Sequence, residues 1–193
     1  MHNAHASTKK RNVASVVSLV LVVAWCIFIF YMSSRVSTDS DNMSLGFAHQ
    51  VLQLFLPGFG NMSASEQAAL LQSLNYPVRK LAHFSEYTVL GILALNALRQ
   101  LGKSRAHIPL WLISWLFCVF YAATDEFHQL FVPGRSCLFT DVCIDSAGAL
   151  LGTALFVLAF AFTSTSKAQA KNNKLKFSFP LRGKALHVTK MLR

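Results

Sequence analysis

The chain has 193 residues, of which 53% are hydrophobic and only 13% charged, and it carries a formal net charge of +10. Sixteen Phe are more than the core of a soluble domain of this length needs, so the composition excludes an ordinary water-soluble fold and points to lipid as the solvent. A net charge of +10 could by itself suggest nucleic acid, but the cations sit in short segments between apolar runs, which makes them a topology signal.

Residues 1–12 form a basic tail with Lys9, Lys10 and Arg11, and Val13 to Tyr31 is the first run able to cross a bilayer, which takes about 20 helical residues. A signal peptide has an apolar core of roughly 7 to 15 residues and a small-residue exit; this run is longer and lacks the exit, so it reads as a retained anchor. The segment 32–79 opens with the polar stretch "SSRVSTDSDNMS" and continues with two interfacial helices. The first, "SLGFAHQVLQLFL", carries apolar residues at helical spacing. The second, "SASEQAALLQSLN", opens with Ser63 and Glu66 three apart, as a capping box requires. Pro77 is expected to break the chain before the next span. This segment reads as a collar on the membrane surface or as a spacer. Further spans are expected at about 80–101, 108–124 and 141–162, giving a membrane domain over 13–163 and a second basic tail over 164–193.

Sorted by these spans, 3 cations lie in the first tail, 3 in the 99–107 loop and 8 in the second tail, against Arg35, Arg79, Lys80 and Arg135 on the other side. The positive-inside rule then places both termini in the cytoplasm. All eight acids fall on the outer side or in the outer ends of spans, although the spans were not chosen by them. The second tail, with cations and no acid, fits anionic headgroups, and no nucleic-acid reading motif accompanies it. Cys26 and Cys118 lie in spans as apolar filler, whereas Cys137 and Cys143 face the oxidising side at a spacing that permits a bridge without demanding one.

The clean apolar cores of the second and fourth spans, 89–98 and 147–162, are too short to cross alone, so polar neighbours must enter the membrane. Such groups cost at least about 2.5 kcal/mol each against lipid and should face the bundle interior. Lys80, His83 and Tyr87 fall at i, i+3 and i+7, with Glu86 beside them. Asp141, Asp145, Gly148 and Gly152 fall at i, i+4, i+7 and i+11, and the last two form a GxxxG pair that lets another helix approach the face carrying the aspartates. If the third span runs on, Asp125, His128 and Gln129 share one helix face, and Pro133-Gly134 then turns the chain back with Arg135 at its tip. Three helix ends thus bring histidine, carboxylate, amide and guanidinium groups to one depth.

The elements "RKLAHFSEYTVLG" (79–91) and "DEFHQLFVPGRSCLFTDVCIDSAGALLG" (125–152) resemble those of the VanZ-like family of bacterial membrane proteins. The likeness rests on many fixed residue types at fixed spacing: Lys80, His83 and Tyr87 in the first element, and Asp125, Glu126, His128, Gln129, Arg135, Asp141, Asp145 and Gly148 in the second. Cys137 stands where many members have a small residue. The resemblance implies an integral membrane protein. The family's namesake is associated with resistance to the glycopeptide antibiotic teicoplanin, and no residue of this chain names an antibiotic.

The expected fold is an all-α membrane protein with four transmembrane helices and a short helical segment on the outer face. Its polar residues admit four readings. They form a structural network that locks three helices. They serve an enzyme acting on a lipid-linked or cell-envelope substrate, with His83, Asp125, His128 and Asp145 as catalytic candidates. In that reading Lys80, Tyr87, Glu126, Gln129, Arg135 and Asp141 bind substrate, Lys80 and Arg135 holding a phosphate-bearing headgroup. Crowded carboxylates hold a proton between them and leave an acid beside a base. With no serine or cysteine nucleophile motif, the chemistry is water-mediated hydrolysis or transfer. A third reading is a metal site, from HxxE at 83–86 and DExH at 125–128. The fourth is a non-catalytic accessory protein that captures membrane lipid or a lipid-linked precursor, linked to glycopeptide tolerance as in the namesake. The residues imply no particular cofactor.

Overall fold

The computed structural model describes the backbone of residues 2–102 and 108–178, and the side chains of 12–102, 108–166 and 169. The cations at 9–11, at 103 and 105, and from 167 onward, on which the placement of the termini rests, lie outside the described side chains. Among the described residues there are five α-helices and no strand: α1 (His2–Ser33), α2 (Ser37–Phe55), α3 (Ala64–Leu101), α4 (Leu110–Gln129) and α5 (Phe139–Ser178), with a single 3-10 turn at Phe59–Asn61. Four of them are long and apolar enough to cross a membrane: α1 from Asn12, α3, α4, and α5 as far as Ser166. The fold is an all-α membrane protein, with α2 and the 3-10 turn between the first two spans. Residues 1–157 form one compact unit; a second begins at Leu158, and its described part continues as helix to Ser178.

Two local expectations are corrected. The polar stretch after the first span is not a leader to a later helix: its residues from Ser37 onward are the first turns of α2. Nor does Pro77 break the chain, because it lies inside the continuous 38-residue α3. A proline in a helix interior removes one backbone hydrogen bond and crowds the preceding turn. Ion pairs tie the next turn of helix to its neighbours: Arg79 pairs with Asp41 of α2 and Lys80 with Asp141 of α5. The capping box at the start of α3 forms as its spacing requires. The Ser63 hydroxyl accepts from the Glu66 N–H at 3.3 Å, and Glu66 accepts from the Ser63 N–H at 2.8 Å.

Lipid tails are as apolar as leucine, so spans associate through close packing and polar contacts. Both are present. On α5, a Cβ on Gly148 would stand 2.3 Å from the Phe84 carbonyl oxygen of α3, and one on Gly152 would stand 2.0 Å from that of Thr88. On α3, a Cβ on Gly91 would stand 2.5 Å from the Ala149 carbonyl oxygen. The three glycines let two backbones touch, and Thr88 fastens the seam by donating to the Gly148 carbonyl at 3.0 Å. Elsewhere long side chains donate to carbonyls of neighbouring helices. Trp25 reaches Glu86 at 2.9 Å, Trp115 reaches Ser146 at 2.9 Å, and Tyr121 reaches Cys26 at 2.6 Å. Between these bonds Ile29, Leu90, Cys118, Ala122 and Ala149 form the buried core. Cys137 and Cys143 are free and exposed.

Candidate functional site

Helices α1 and α4 end, and α5 begins, at the same end of the bundle, where α2 lies against α3. Helix α4 runs past Thr124 to Gln129, so Asp125, His128 and Gln129 are helical. The turn after it needs Gly134, whose φ is +75° and whose missing Cβ would stand 2.9 Å from the Ser37 hydroxyl at the start of α2. Ser37 also donates its N–H to the Pro133 carbonyl at 3.4 Å, so the turn and α2 are joined.

The polar residues here fall into two groups. Those of the first group hold the helix ends together. Lys80 of α3 pairs with the buried Asp141 of α5. The Glu126 carboxylate accepts the N–H of Leu138 at 3.1 Å, which fixes the approach to α5. The Gln129 amide donates to the Ser33 hydroxyl at 3.0 Å and ties α4 to α1, both groups being buried.

Members of the second group are buried without that satisfaction. Among the described residues, both carboxylate oxygens of Asp145, the Tyr87 hydroxyl, and Nδ1 of His83 and of His128 have no hydrogen-bond partner, whereas the Asp125 carboxylate lies beside the Ser33 hydroxyl and the Gln129 amide. Asp145 and Tyr87 are 1% and 0% exposed, and an unpaired polar group in such a place costs about 1–3 kcal/mol, more if charged. Tyr87 lies within electrostatic range of Asp125, Asp145 and Glu86. His83 approaches Glu86 to 3.8 Å, one helical turn along α3. His128 lies within electrostatic range of Asp125, and its ring is 4.4 Å from that of Phe30. No group of three or more His, Cys, Asp or Glu among the described residues could hold a metal ion.

Beside the second group is a cavity of about 300 Å³ between α1, α2 and α3, closed on one side by the turn after α4. Its polar wall comprises Arg35, Arg79, Arg135, His83 and Glu86, and its apolar wall includes Met32, Met43, Phe47 and Leu81. His83 and Glu86 therefore connect the cavity to the buried acids. Arg135 donates Nε–H to the Arg35 carbonyl at 3.3 Å. Burial holds its guanidinium below the usual arginine pKa range; neighbouring Arg79 adds to this and Asp41 opposes it.

Of the ten residues the sequence put forward, His83 and Arg135 line the cavity, and Tyr87, Asp125 and Asp145 form the buried cluster. Lys80, Asp141, Glu126 and Gln129 are engaged in bonds between helix ends, and His128 packs on Phe30. Sequence reading missed Arg35 and Arg79 as site residues, along with the α2 residues of the cavity. A signal was present in the charge sorting. The four cations on the cation-poor side are Arg35, Arg79, Lys80 and Arg135. Three line this cavity, and the fourth is paired beside it. Cations held where the positive-inside bias disfavours them are candidates for a local task.

A family model described as VanZ/LLP1 matches residues 18–160, well over half of the chain and all of the residues just described. The chain belongs to the VanZ/LLP1 family. No curated protein and no solved structure matches it. In this VanZ/LLP1 protein the two sequence elements that carry the family resemblance meet physically. The 79–91 element supplies His83, Glu86 and Tyr87, and the 125–152 element supplies Asp125, Arg135, Asp145 and the glycines that bring α5 against α3.

Proposed function

We propose that this protein binds, and acts on, an amphiphilic cell-envelope or lipid-linked molecule at the α2 end of its membrane bundle. That end lies at the outer face of a bacterial plasma membrane, with both termini in the cytoplasm. The observation that carries the reading is the cavity itself, with guanidiniums, His83 and Glu86 on one wall and Met32, Met43, Phe47 and Leu81 on the other. A pocket of that composition suits a ligand with a polar head and an apolar chain. His83 and Glu86 stand where a headgroup would sit, and Asp125, Asp145 and Tyr87 lie behind them as proton-exchanging groups. His128, one turn from Asp125, serves as a second proton carrier from the α1 side. Lys80, Glu126, Gln129 and Asp141 support the walls through the bonds they make.

A second reading, a non-catalytic binder, uses the same cavity without turnover. It is favoured by how much of the polar set is engaged in bonds between helix ends. The two share one test. Lipid extracted from purified wild-type protein is compared by mass spectrometry with lipid from Ala82→Trp, whose indole fills the cavity that Ala82 lines. The expected result is an amphiphile retained by the wild type and lost from a variant of unchanged melting temperature. The same lipid in equal amount on both would refute the site. Incubation of the retained lipid with wild type and His83→Gln then separates enzyme from binder, since only an enzyme forms product and only through an intact His83. Orientation has its own test, because Cys137, free and exposed in the turn before α5, should react with a membrane-impermeant maleimide on intact cells. Protection there, with reaction after lysis, would invert the topology.

A further inference from the structure

The lining of the cavity carries more positive than negative charge. Arg35, Arg79 and Arg135 all line it, against the single carboxylate of Glu86. Arg79 and Arg135 are close enough for each charge to perturb the other's surroundings, and His83 is within range of both. Among the described residues neither Arg35 nor Arg135 has an ion-pair partner: Arg35 lies 5.8 Å from the centre of the Tyr31 ring, and Arg135 gives one N–H to a carbonyl. Only Arg79 is paired, through Nη1 to Asp41 Oδ1 of α2 at 3.1 Å. Snorkelling to the general headgroup layer would leave such side chains extended into water, yet the Arg79 side chain is only 24% exposed.

Like charges gathered in a half-buried pocket are costly unless an anion joins them, and the number of donors says which anion. A carboxylate has two oxygens and is satisfied by one bidentate guanidinium. A terminal phosphate presents three oxygens and more negative charge, so it can accept from several guanidinium forks at once. The adjoining wall of Met32, Met43, Phe47 and Leu81 requires that the phosphate carry an apolar chain. One of the three guanidiniums already holds an anion from the protein itself, the Asp41 carboxylate.

Resting on the reading of the cavity as an amphiphile site, we infer that its ligands are lipids ending in a phosphate monoester, gripped by Arg35, Arg79 and Arg135. We further infer that Asp41 is an internal stand-in that the phosphate displaces from Arg79. Helix α2 is then both roof and competitor: it contributes Met43 and Phe47 to the apolar wall while its Asp41 holds Arg79.

The test measures binding to the full-length, detergent-purified protein after delipidation, with dioctanoyl phosphatidic acid, dioctanoyl phosphatidylcholine and inorganic phosphate as probes. Phosphatidic acid should bind at least about tenfold more tightly than phosphatidylcholine, as expected for losing charge-assisted hydrogen bonds, and inorganic phosphate should bind far more weakly than either. Asp41→Asn should tighten phosphatidic acid severalfold and leave phosphatidylcholine unchanged. That gain should vanish in Asp41→Asn/Arg79→Gln, which should match Arg79→Gln alone. Equal affinity for the two lipids would overturn the phosphate inference and leave the amphiphile site standing; binding of neither would overturn both. Inorganic phosphate binding as tightly as phosphatidic acid would make the guest a free anion and refute the lipid. Weaker phosphatidic acid binding by Asp41→Asn would make Asp41 a support of the pocket and refute the competition. The wild-type comparison of lipids needs no variant to fold.

Discussion

The middle of the bundle and its α2 end treat buried polar groups in opposite ways. In the middle, Trp25, Trp115, Tyr121, Ser114 and Thr88 each donate to a backbone carbonyl on another helix. At the α2 end, Asp145, Tyr87, His83 and His128 leave buried atoms without partners, within a turn or two of the same helices. Two regions built from the same four spans show that the fold can satisfy polar groups where it needs them only for association. Groups left unsatisfied do not add to stability, and the function proposed above gives them a task. Lys80, Asp141, Glu126 and Gln129, which do find partners, are the structural part of that end.

The difference can be broken most strongly at the seam. Gly152→Ala places a methyl group 2.0 Å from the Thr88 carbonyl oxygen, where only backbone can yield, and overpacking of this kind costs about 1–3 kcal/mol or more. A large fall in melting temperature and in purified yield is expected, and a wild-type melt would mean that α5 slides freely on α3. Gly134→Ala comes next. Its left-handed φ of +75° is strained for alanine by about 1–2 kcal/mol, and the methyl meets the Ser37 side chain. Lipid retention in the cavity should fall with it, because the turn positions both α2 and Arg135. Trp115→Phe keeps the ring and removes only the donor to Ser146, which should cost about 1 kcal/mol in a thermal melt and leave lipid retention unchanged.

Much of this comparison was legible in the sequence, for physical reasons. Spans announce themselves because lipid tolerates no alternative to long apolar helices. The Ser63–Glu66 box, the Pro133-Gly134 turn and the Gly148/Gly152 pair are local in sequence, and each forms as its spacing requires. The position of Asp125 and Asp145 near one depth could be inferred from helix length alone. What was not legible depends on which helix faces which. Asp41 and Arg79 are 38 residues apart, and nothing in either segment announces the other. The continuity of α3 through Pro77 is of the same kind: local chemistry marked a break, and the bonds that Arg79 and Lys80 make to two other helices are not visible in the segment itself. The division of the polar residues into partnered and unpartnered sets was equally hidden, since spacing places a side chain on a face without saying what meets it.

The most direct test of that division is the melting temperature of delipidated Asp145→Asn, measured beside wild type and Gly152→Ala. Asp145 is 1% exposed with neither oxygen bonded. If its carboxylate is kept for function, the isosteric and uncharged Asn should melt at or above the wild-type temperature while the lipid-dependent function is lost. A fall as deep as that of Gly152→Ala would make Asp145 a strut of the bundle and contradict the account.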